Sequence, residues 1–334
     1  MSGGPAHLDR VPTKRTRLVR TILSSIAGAA LLAAAIVTAY GQERVLLDGL
    51  RALREAPWWL VALVIVLPCL NLFVVSVAFW ILNNRHGKVR LDEMLALISS
   101  AWLLNFLPLR PGMFGRIAYH KKYNGIGIKA SARVLGETVI LSGIAMGTMA
   151  LLAILLMLLG VRSGWPAWAG VCVPILVSLI VWCVGPGGTS RAYAGALAMK
   201  QADMALWAVR YWAVFALIGR PLGALESIAV AAVSQVALLI PLAGNGLGIR
   251  EWAVGLLAMA LPAWYATEAD TGPGTGLTAD LVNRAAEILV AVPLGLLGIA
   301  AVTLLVRKRS APVRTRHPPA DAPIPGASSG PEHP

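Results

Sequence analysis

The amino-acid sequence predicts an all-α fold, a polytopic bundle of transmembrane helices. Hydrophobic residues make up 57% of the chain and charged residues only 13%, against about 25% charged residues in a typical soluble domain. Several apolar stretches reach the roughly 18 residues that a membrane-crossing helix needs. These stretches are residues 18–40, 58–82, 134–160, 165–184 and 285–306. They are continuous and do not alternate as barrel strands do, which predicts helices.

Basic residues at the two ends of the chain set the predicted topology. Five Lys/Arg lie within the first twenty residues, and five more follow residue 306. Because cytoplasmic segments carry an excess of Lys and Arg, both termini are predicted to be cytoplasmic, in a cell inner (plasma) membrane. The first apolar run is longer than the core of a signal peptide, which predicts an uncleaved helix. The predicted segments are a basic tail (1–17), a transmembrane domain (18–306) and a disordered cytoplasmic tail (307–334).

The segment 91–109 does not fit a simple crossing. It is apolar enough to cross, yet residues 110–133 directly after it carry six Lys/Arg. An external position for that basic segment would contradict the charge rule. The sequence therefore predicts a re-entrant hairpin that closes near residues 108–115. Irregular backbone at membrane depth is tolerated where it is buried in protein or lines a cavity.

A second break lies between residues 225–242 and 246–261. The loop after it contains Glu268, Asp270 and Asp280 and no basic residue, so it is predicted to be external. Both flanks of this break are then external, which predicts a second re-entrant hairpin of opposite sense.

The two breaks resemble each other. Each combines an apolar run, a Pro, a glycine-rich turn and an Arg, and each precedes a helix with a charge pair on one face. The sequence therefore predicts two inverted halves, at about 18–160 and 165–306, with about six crossings and two hairpins in all. Eight full crossings are the alternative. Interrupted segments at matching positions of an inverted repeat are typical of a transport site at the membrane midplane.

Charged side chains and backbone breaks within the apolar segments are the candidate site. A charge near the bilayer centre costs at least about 2.5–3.5 kcal/mol, so such residues face a partner or a cavity. A broken helix offers unpaired N–H groups that attract phosphate. The alternatives are snorkelling arginines, structural ion pairs, and breaks that serve close packing. The candidate head-group residues are Arg110, Gly112, Arg116, Arg133, Glu137, Arg210, Pro241, Gly244, Gly246, Gly248, Arg250, Glu251, Arg284 and Glu287.

Other function classes find no support in the sequence. The chain has a net charge of +13, but its basic residues are concentrated at the ends and in a few loops, so nucleic-acid binding is not expected. The three cysteines lie in apolar runs without metal-ligand spacing, and the five histidines lie in tails or loops. We therefore expect no metal and no cofactor, and the sequence favours a protein that is not an enzyme.

Two motifs resemble a known family. Residues 107–112 read LPLRPG, followed by Gly115-Arg116 and by ARVLGE at 132–137; residues 241–251 read PLAGNGLGIRE. These runs resemble the two signatures of the lysylphosphatidylglycerol synthase transmembrane (flippase-like) family. Asn245-Gly246 stands where that family often has a Gly pair, and Gly136 stands where Val is commoner. The resemblance covers residues 18–306, and no segment of this sequence corresponds to the family's soluble synthase domain.

The resemblance implies a protein that moves lipids between leaflets, aminoacylated phosphatidylglycerol in the best-known members. We expect a flippase-like protein that handles anionic or modified phospholipid, or polyprenyl-linked lipid, with membrane lipids as its partners. The two hairpins would meet at the midplane, where Arg250 and the helix N-terminus hold the phosphate, and Glu251 orients Arg250 or meets a cationic head group. The alternatives are a membrane-embedded transferase of lipid or glycan metabolism, with Glu251 or Glu137 as base, and a non-transporting partner of an enzyme in such a pathway.

Overall fold

The structure is a computed structural model that describes residues 54–107, 111–161, 164–185, 187–239, 248–265 and 273–310. These residues are helical and contain no strand, which confirms the predicted all-α class. The predicted first helix (18–40) and the tails at 1–17 and 311–334 lie outside the described residues. So do the candidate site residues Arg110, Pro241, Gly244 and Gly246.

Nine helices make up the described part of the chain. They are α1 (Trp58–Asn83), α2 (Leu91–Leu104), α3 (Pro111–Tyr123), α4 (Ile128–Leu158), α5 (Trp165–Val184), α6 (Thr189–Leu217), α7 (Ala224–Leu239), α8 (Ile249–Tyr265) and α9 (Pro273–Ser310).

Four of the described helices, α1, α4, α5 and α9, are long and apolar enough to cross a membrane. Their outward faces expose large apolar side chains, among them Val66, Leu151, Leu176 and Leu297. A soluble protein rarely leaves so continuous an apolar surface in water. These helices indicate a membrane protein, as the composition predicted.

The helix α6 lies at the centre of the bundle, where it packs against α1, α4, α5, α7 and α9. Its side chains Tyr211, Val214 and Phe215 are completely buried. This helix is much longer than the predicted segment 203–218, and Lys200, predicted in a loop, lies within it. The sequence pattern missed the first half because buried polar side chains lower its hydropathy without breaking the helix.

The helix α9 also begins earlier than predicted, at Pro273 instead of residue 285. Asp280, predicted in an external loop, therefore lies inside this helix, and its side chain has no exposed area. The predicted loop position of Asp280 was wrong. An acidic residue is usually solvated, whereas Asp280 is buried against α6 and α8.

The helices α2 and α3 fold back on each other. A Cβ atom at Gly112 would lie 2.5 Å from the backbone of Ala101 in α2, so only glycine fits this contact. The two helices contain 14 and 13 residues, or about 21 and 20 Å of helix. α7 and α8 form the second such pair, with 16 and 17 residues.

The helix α9 contacts both helix pairs. Its first part packs against α8, with Gly276 beside Val254. Its second part runs antiparallel to α2: Gly295 adjoins Leu103, and further along α9 Arg309 binds Glu93 at 2.9 Å. One long helix therefore fixes the positions of both pairs.

The contact between α9 and α2 is tightest at Gly298, where an added Cβ would lie 2.8 Å from the carbonyl oxygen of Ala96. We expect Gly298→Leu to destabilise the folded protein in detergent by about 1–3 kcal/mol, because the added side chain forces the two backbones apart. Thermal unfolding followed by tryptophan fluorescence measures this. Gly143→Leu on α4 is the control, since nothing lies within 4 Å of a Cβ there. Equal midpoints for the two variants would contradict the packing.

Candidate functional site

A cavity of about 340 Å³ is lined by residues that flank both interrupted segments. Asn105, directly after α2, and Met113 in the first turn of α3 border it from the first pair. Leu238, near the end of α7, and Arg250, near the start of α8, border it from the second pair. Both breaks that the sequence singled out therefore have their flanks on one cavity, whose volume falls in the range of small-ligand sites.

The remaining walls of the cavity are mostly apolar and come from α1, α2, α4 and α6. The apolar lining residues are Leu72, Val75, Phe79, Ile98, Ala101, Trp102, Leu135 and Trp207. An apolar pocket with a few convergent polar groups is the usual form of a ligand site.

Five charged side chains line the cavity, and all of them are buried. Three are cations, Arg116, Lys200 and Arg250, and two are carboxylates, Asp203 and Glu287. Three positive and two negative charges leave one positive charge in excess. The lining therefore favours an anionic ligand over a cationic one.

Arg250 is held by two carboxylates of α9. It donates to Asp280 at 2.9 Å and to Glu287 at 3.1 Å. Arg210 of α6 also donates to Glu287, at 2.9 Å. Arg284 completes the cluster, with Glu251 as its partner at 2.8 Å. Three arginines and three carboxylates balance one another in this cluster, which we call the charge network (Arg210, Arg250, Glu251, Asp280, Arg284 and Glu287).

Neutral polar groups extend the charge network. Asn283 accepts from Arg210 at 2.6 Å, and the Tyr211 hydroxyl donates to Asp280 at 2.6 Å. The indole ring of Trp207 lies 4.1 Å from the Arg210 guanidinium and 5.6 Å from that of Arg250. A cation near an aromatic face gains further electrostatic stabilisation. The network thus joins α6, α8 and α9 through fully buried side chains.

The charge network contains the predicted Arg284–Glu287 pair together with pairs that the sequence did not predict. Arg284 and Glu287, predicted as a pair, approach to 3.9 Å, but the closer partner of Arg284 is Glu251. Glu251 accepts hydrogen bonds from Arg284 and, among the described residues, none from Arg250. Arg210 has no partner nearby in sequence, and its carboxylate is Glu287 on α9.

Sequence reasoning missed Asp280, although a signal for it exists. Asp280, Arg284 and Glu287 lie four and three residues apart, which places them on one face of a helix.

Arg116 differs from the other cations of the cavity. Its side chain is only 8% exposed, so it does not snorkel to an interface. The guanidinium stacks on the Phe79 ring at 3.9 Å from the centroid. Among the described residues it has no ion pair and no hydrogen bond. Arg116 therefore brings an uncompensated positive charge to the cavity wall.

Further polar atoms on the cavity wall lack a partner within the described part of the chain. Two of them are donors, Nη2 of Arg250 and Nε2 of Gln235, and one is an acceptor, Oδ1 of Asn105. Buried polar atoms without partners are costly, so the residues around the cavity have hydrogen-bonding capacity that the described part of the chain does not use.

A second ion pair of the cavity wall was not predicted. Lys200 donates to Asp203 at 2.7 Å, and Asp203 also accepts a hydrogen bond from Asn71. The spacing of three residues is the sequence signal for this pair, once the segment is known to be helical.

Of the described candidate site residues, Arg116, Arg250 and Glu287 line the cavity, whereas the others do not: Gly112, Arg133, Glu137, Arg210, Gly248, Glu251 and Arg284. Glu137 accepts from Arg133 at 3.0 Å, which confirms the predicted pair, but Arg85 at 2.9 Å and Tyr193 at 2.6 Å also bind it. This cluster ties α4 to α6 and to the segment after α1. Gly248 has a positive φ of 81° directly before α8, a backbone conformation that favours glycine.

No model of a known protein family, no curated protein and no solved structure matches this chain. The resemblance to the flippase-like family therefore stays a prediction from the two motifs.

We expect Glu287→Gln to destabilise the folded protein by about 3–5 kcal/mol, because it leaves Arg210 and Arg250 as incompletely paired buried charges. Thermal unfolding in detergent measures this. The control is Asp92→Asn, since the Asp92–Arg90 pair is exposed and such pairs contribute about 0–1 kcal/mol. A Glu287→Gln protein as stable as the Asp92→Asn protein would show that the network does not hold the helices together.

Proposed function

We propose that this chain is a flippase-like membrane protein, which moves anionic or modified phospholipid, or polyprenyl-linked lipid, between leaflets. One observation carries the proposal: the flanks of two interrupted helix pairs border one cavity, whose buried charged side chains have an excess positive charge. The cavity would hold the polar head group while the acyl chains stay in the bilayer. The resemblance of residues 107–137 and 241–251 to the flippase-like family supports the same function.

A head group needs such a cavity because its charge is costly in hydrocarbon. The charged side chains that line the cavity, such as Arg116 and Lys200, offer polar partners in place of water. A volume of about 340 Å³ suits a head group and is too small for two acyl chains.

The proposed topology is an inverted repeat with six crossings and two re-entrant hairpins, α2–α3 and α7–α8, with both termini in the cytoplasm. The lengths of these helices support it, since about 20–26 Å of helix falls short of the roughly 30 Å hydrocarbon core. The contacts support it as well. α9 packs on α2, and α4, its counterpart in the first half, packs on α7.

A transferase is less favoured, because its candidate bases are occupied. Glu251, one of the two predicted bases, is bound by Arg284. The carboxylates that line the cavity are bound as well, Glu287 by Arg210 and Arg250, and Asp203 by Lys200 and Asn71. Glu137 has three hydrogen-bond donors and does not line the cavity. A carboxylate so strongly paired is a poor proton acceptor.

A cysteine at Leu107, at the end of the first hairpin, tests the topology. In a variant without the native cysteines, we expect an impermeant thiol reagent added outside to leave Leu107→Cys unlabelled, because a re-entrant hairpin does not reach the outer surface. Lys122→Cys is the control and should be labelled from the cytoplasmic side alone. Labelling of position 107 from outside alone would establish full crossings instead.

Filling the cavity tests the function. We expect Val75→Trp, on the cavity wall, to slow the movement of labelled phosphatidylglycerol in proteoliposomes roughly tenfold, because the larger ring occupies the head-group space. Fluorescence quenching by dithionite from outside follows the movement.

The matched control is Val66→Trp on the same helix, whose parent side chain is 48% exposed on the lipid side. It should move lipid at the wild-type rate. Wild-type protein that moves no anionic, aminoacylated or polyprenyl-linked lipid faster than empty liposomes would refute transport. That result would favour a non-transporting partner of an enzyme in a lipid or glycan pathway.

A further inference from the structure

The cations of the cavity wall are not equivalent. Lys200 is neutralised by Asp203, and Arg250 is neutralised by Asp280 and Glu287. A head group that binds either of them must compete with a carboxylate already in place. Arg116 faces no such competitor among the described residues.

The surroundings of Arg116 do not offset its charge. Phe79 offers the face of a ring, which attracts a cation but cannot neutralise it. A buried guanidinium without a negative partner is costly, and stable folds normally provide one. On the open side of Arg116 lies the cavity. The missing partner is therefore expected to come from a ligand.

We propose that Arg116 makes this cavity selective for a lipid head group with a single negative charge, a phosphodiester. The proposal rests on the proposed function and names the substrate class of the same site. The planar guanidinium binds two phosphate oxygens side by side. Arg250 and Gln235 line the same cavity, and each has a side-chain donor without a partner in the described part of the chain.

The charge balance favours a monoanion over other head groups. A zwitterionic lipid would bring an ammonium group, yet both carboxylates of the cavity wall are already paired. A diphosphate would bring a second negative charge, for which the described wall offers no second free cation. Glycerophospholipids and polyprenyl-phosphate sugars share the phosphodiester, so both classes belong in the test.

The experiment measures which lipids bind the detergent-purified full chain, by native mass spectrometry. The protein is offered equal amounts of phosphatidylglycerol, a polyprenyl-phosphate sugar, phosphatidylcholine and a polyprenyl diphosphate. We expect wild-type protein to prefer one or both phosphodiester monoanions over phosphatidylcholine by roughly tenfold or more, as for a charge-assisted hydrogen bond. The more enriched of the two monoanions identifies the source of the phosphodiester.

Variants at position 116 then distinguish a role of Arg116 in lipid selectivity from a role in the stability of the fold. Arg116→Gln should bind phosphatidylglycerol and phosphatidylcholine about equally, and Arg116→Lys should retain part of the preference, because a point charge lacks the bidentate fork. Arg90→Gln, which changes an arginine that is 76% exposed, should keep the wild-type preference. Thermal unfolding of Arg116→Gln should occur at or above the wild-type temperature, since the variant removes a buried charge without a partner.

The outcomes distinguish this inference from the proposed function. If wild-type protein moves lipids without preferring monoanions, or if Arg116→Gln keeps the preference, the inference is wrong and transport stands. If Arg116→Gln unfolds at a much lower temperature than wild type, Arg116 has a structural role and the inference is again wrong. If wild-type protein binds monoanions through Arg116 but moves no lipid, the site is correct and transport is wrong.

Discussion

The position of Glu287 between Arg210 and Arg250 is the interaction on which the rest of the structure depends. Between membrane helices the hydrophobic effect hardly favours one packing arrangement over another, because lipid chains are as apolar as leucine. Buried charged groups do favour one arrangement, because a shift of one helix by a turn would leave them unpaired in a medium of low polarity. The charge network therefore fixes α8 and α9 against α6, and with them one side of the cavity.

The other side of the cavity depends on the same helix. Beyond Glu287, α9 continues along α2, where Gly298 allows the two backbones to touch. Gly112 makes a similar contact between α3 and α2. Ionic pairing thus positions the second helix pair and glycine packing positions the first, and both act through α9. This shared helix explains how two breaks so distant in sequence come to border one cavity.

The sequence predicted those elements whose surfaces meet lipid. For α1 and α5 the apolar runs match the observed helices within a residue or two, because nearly every position of a lipid-facing helix is apolar. The starts of α6 and α9 were missed, because Lys200 and Asp280 lower the hydropathy although they are buried. Five members of the charge network, all except Asp280, were predicted because they are charged residues in or beside apolar segments. Apart from the Arg284–Glu287 pair, their pairing was not predicted, because Arg210 and Glu287 meet only in the folded chain.

The charge network is balanced, whereas Arg116 has no ionic partner among the described residues. This division suits the proposed function, in which a head group must also be released. A head group bound by Arg250 alone would compete with Asp280 and Glu287, and any change in those pairs would loosen the helices they join. A head group at Arg116 exchanges only a contact with the Phe79 ring. Transport requires binding that is favourable enough to enter and weak enough to leave. If Arg116 binds the head group as proposed, selectivity can change at this residue while the charge network keeps the bundle intact.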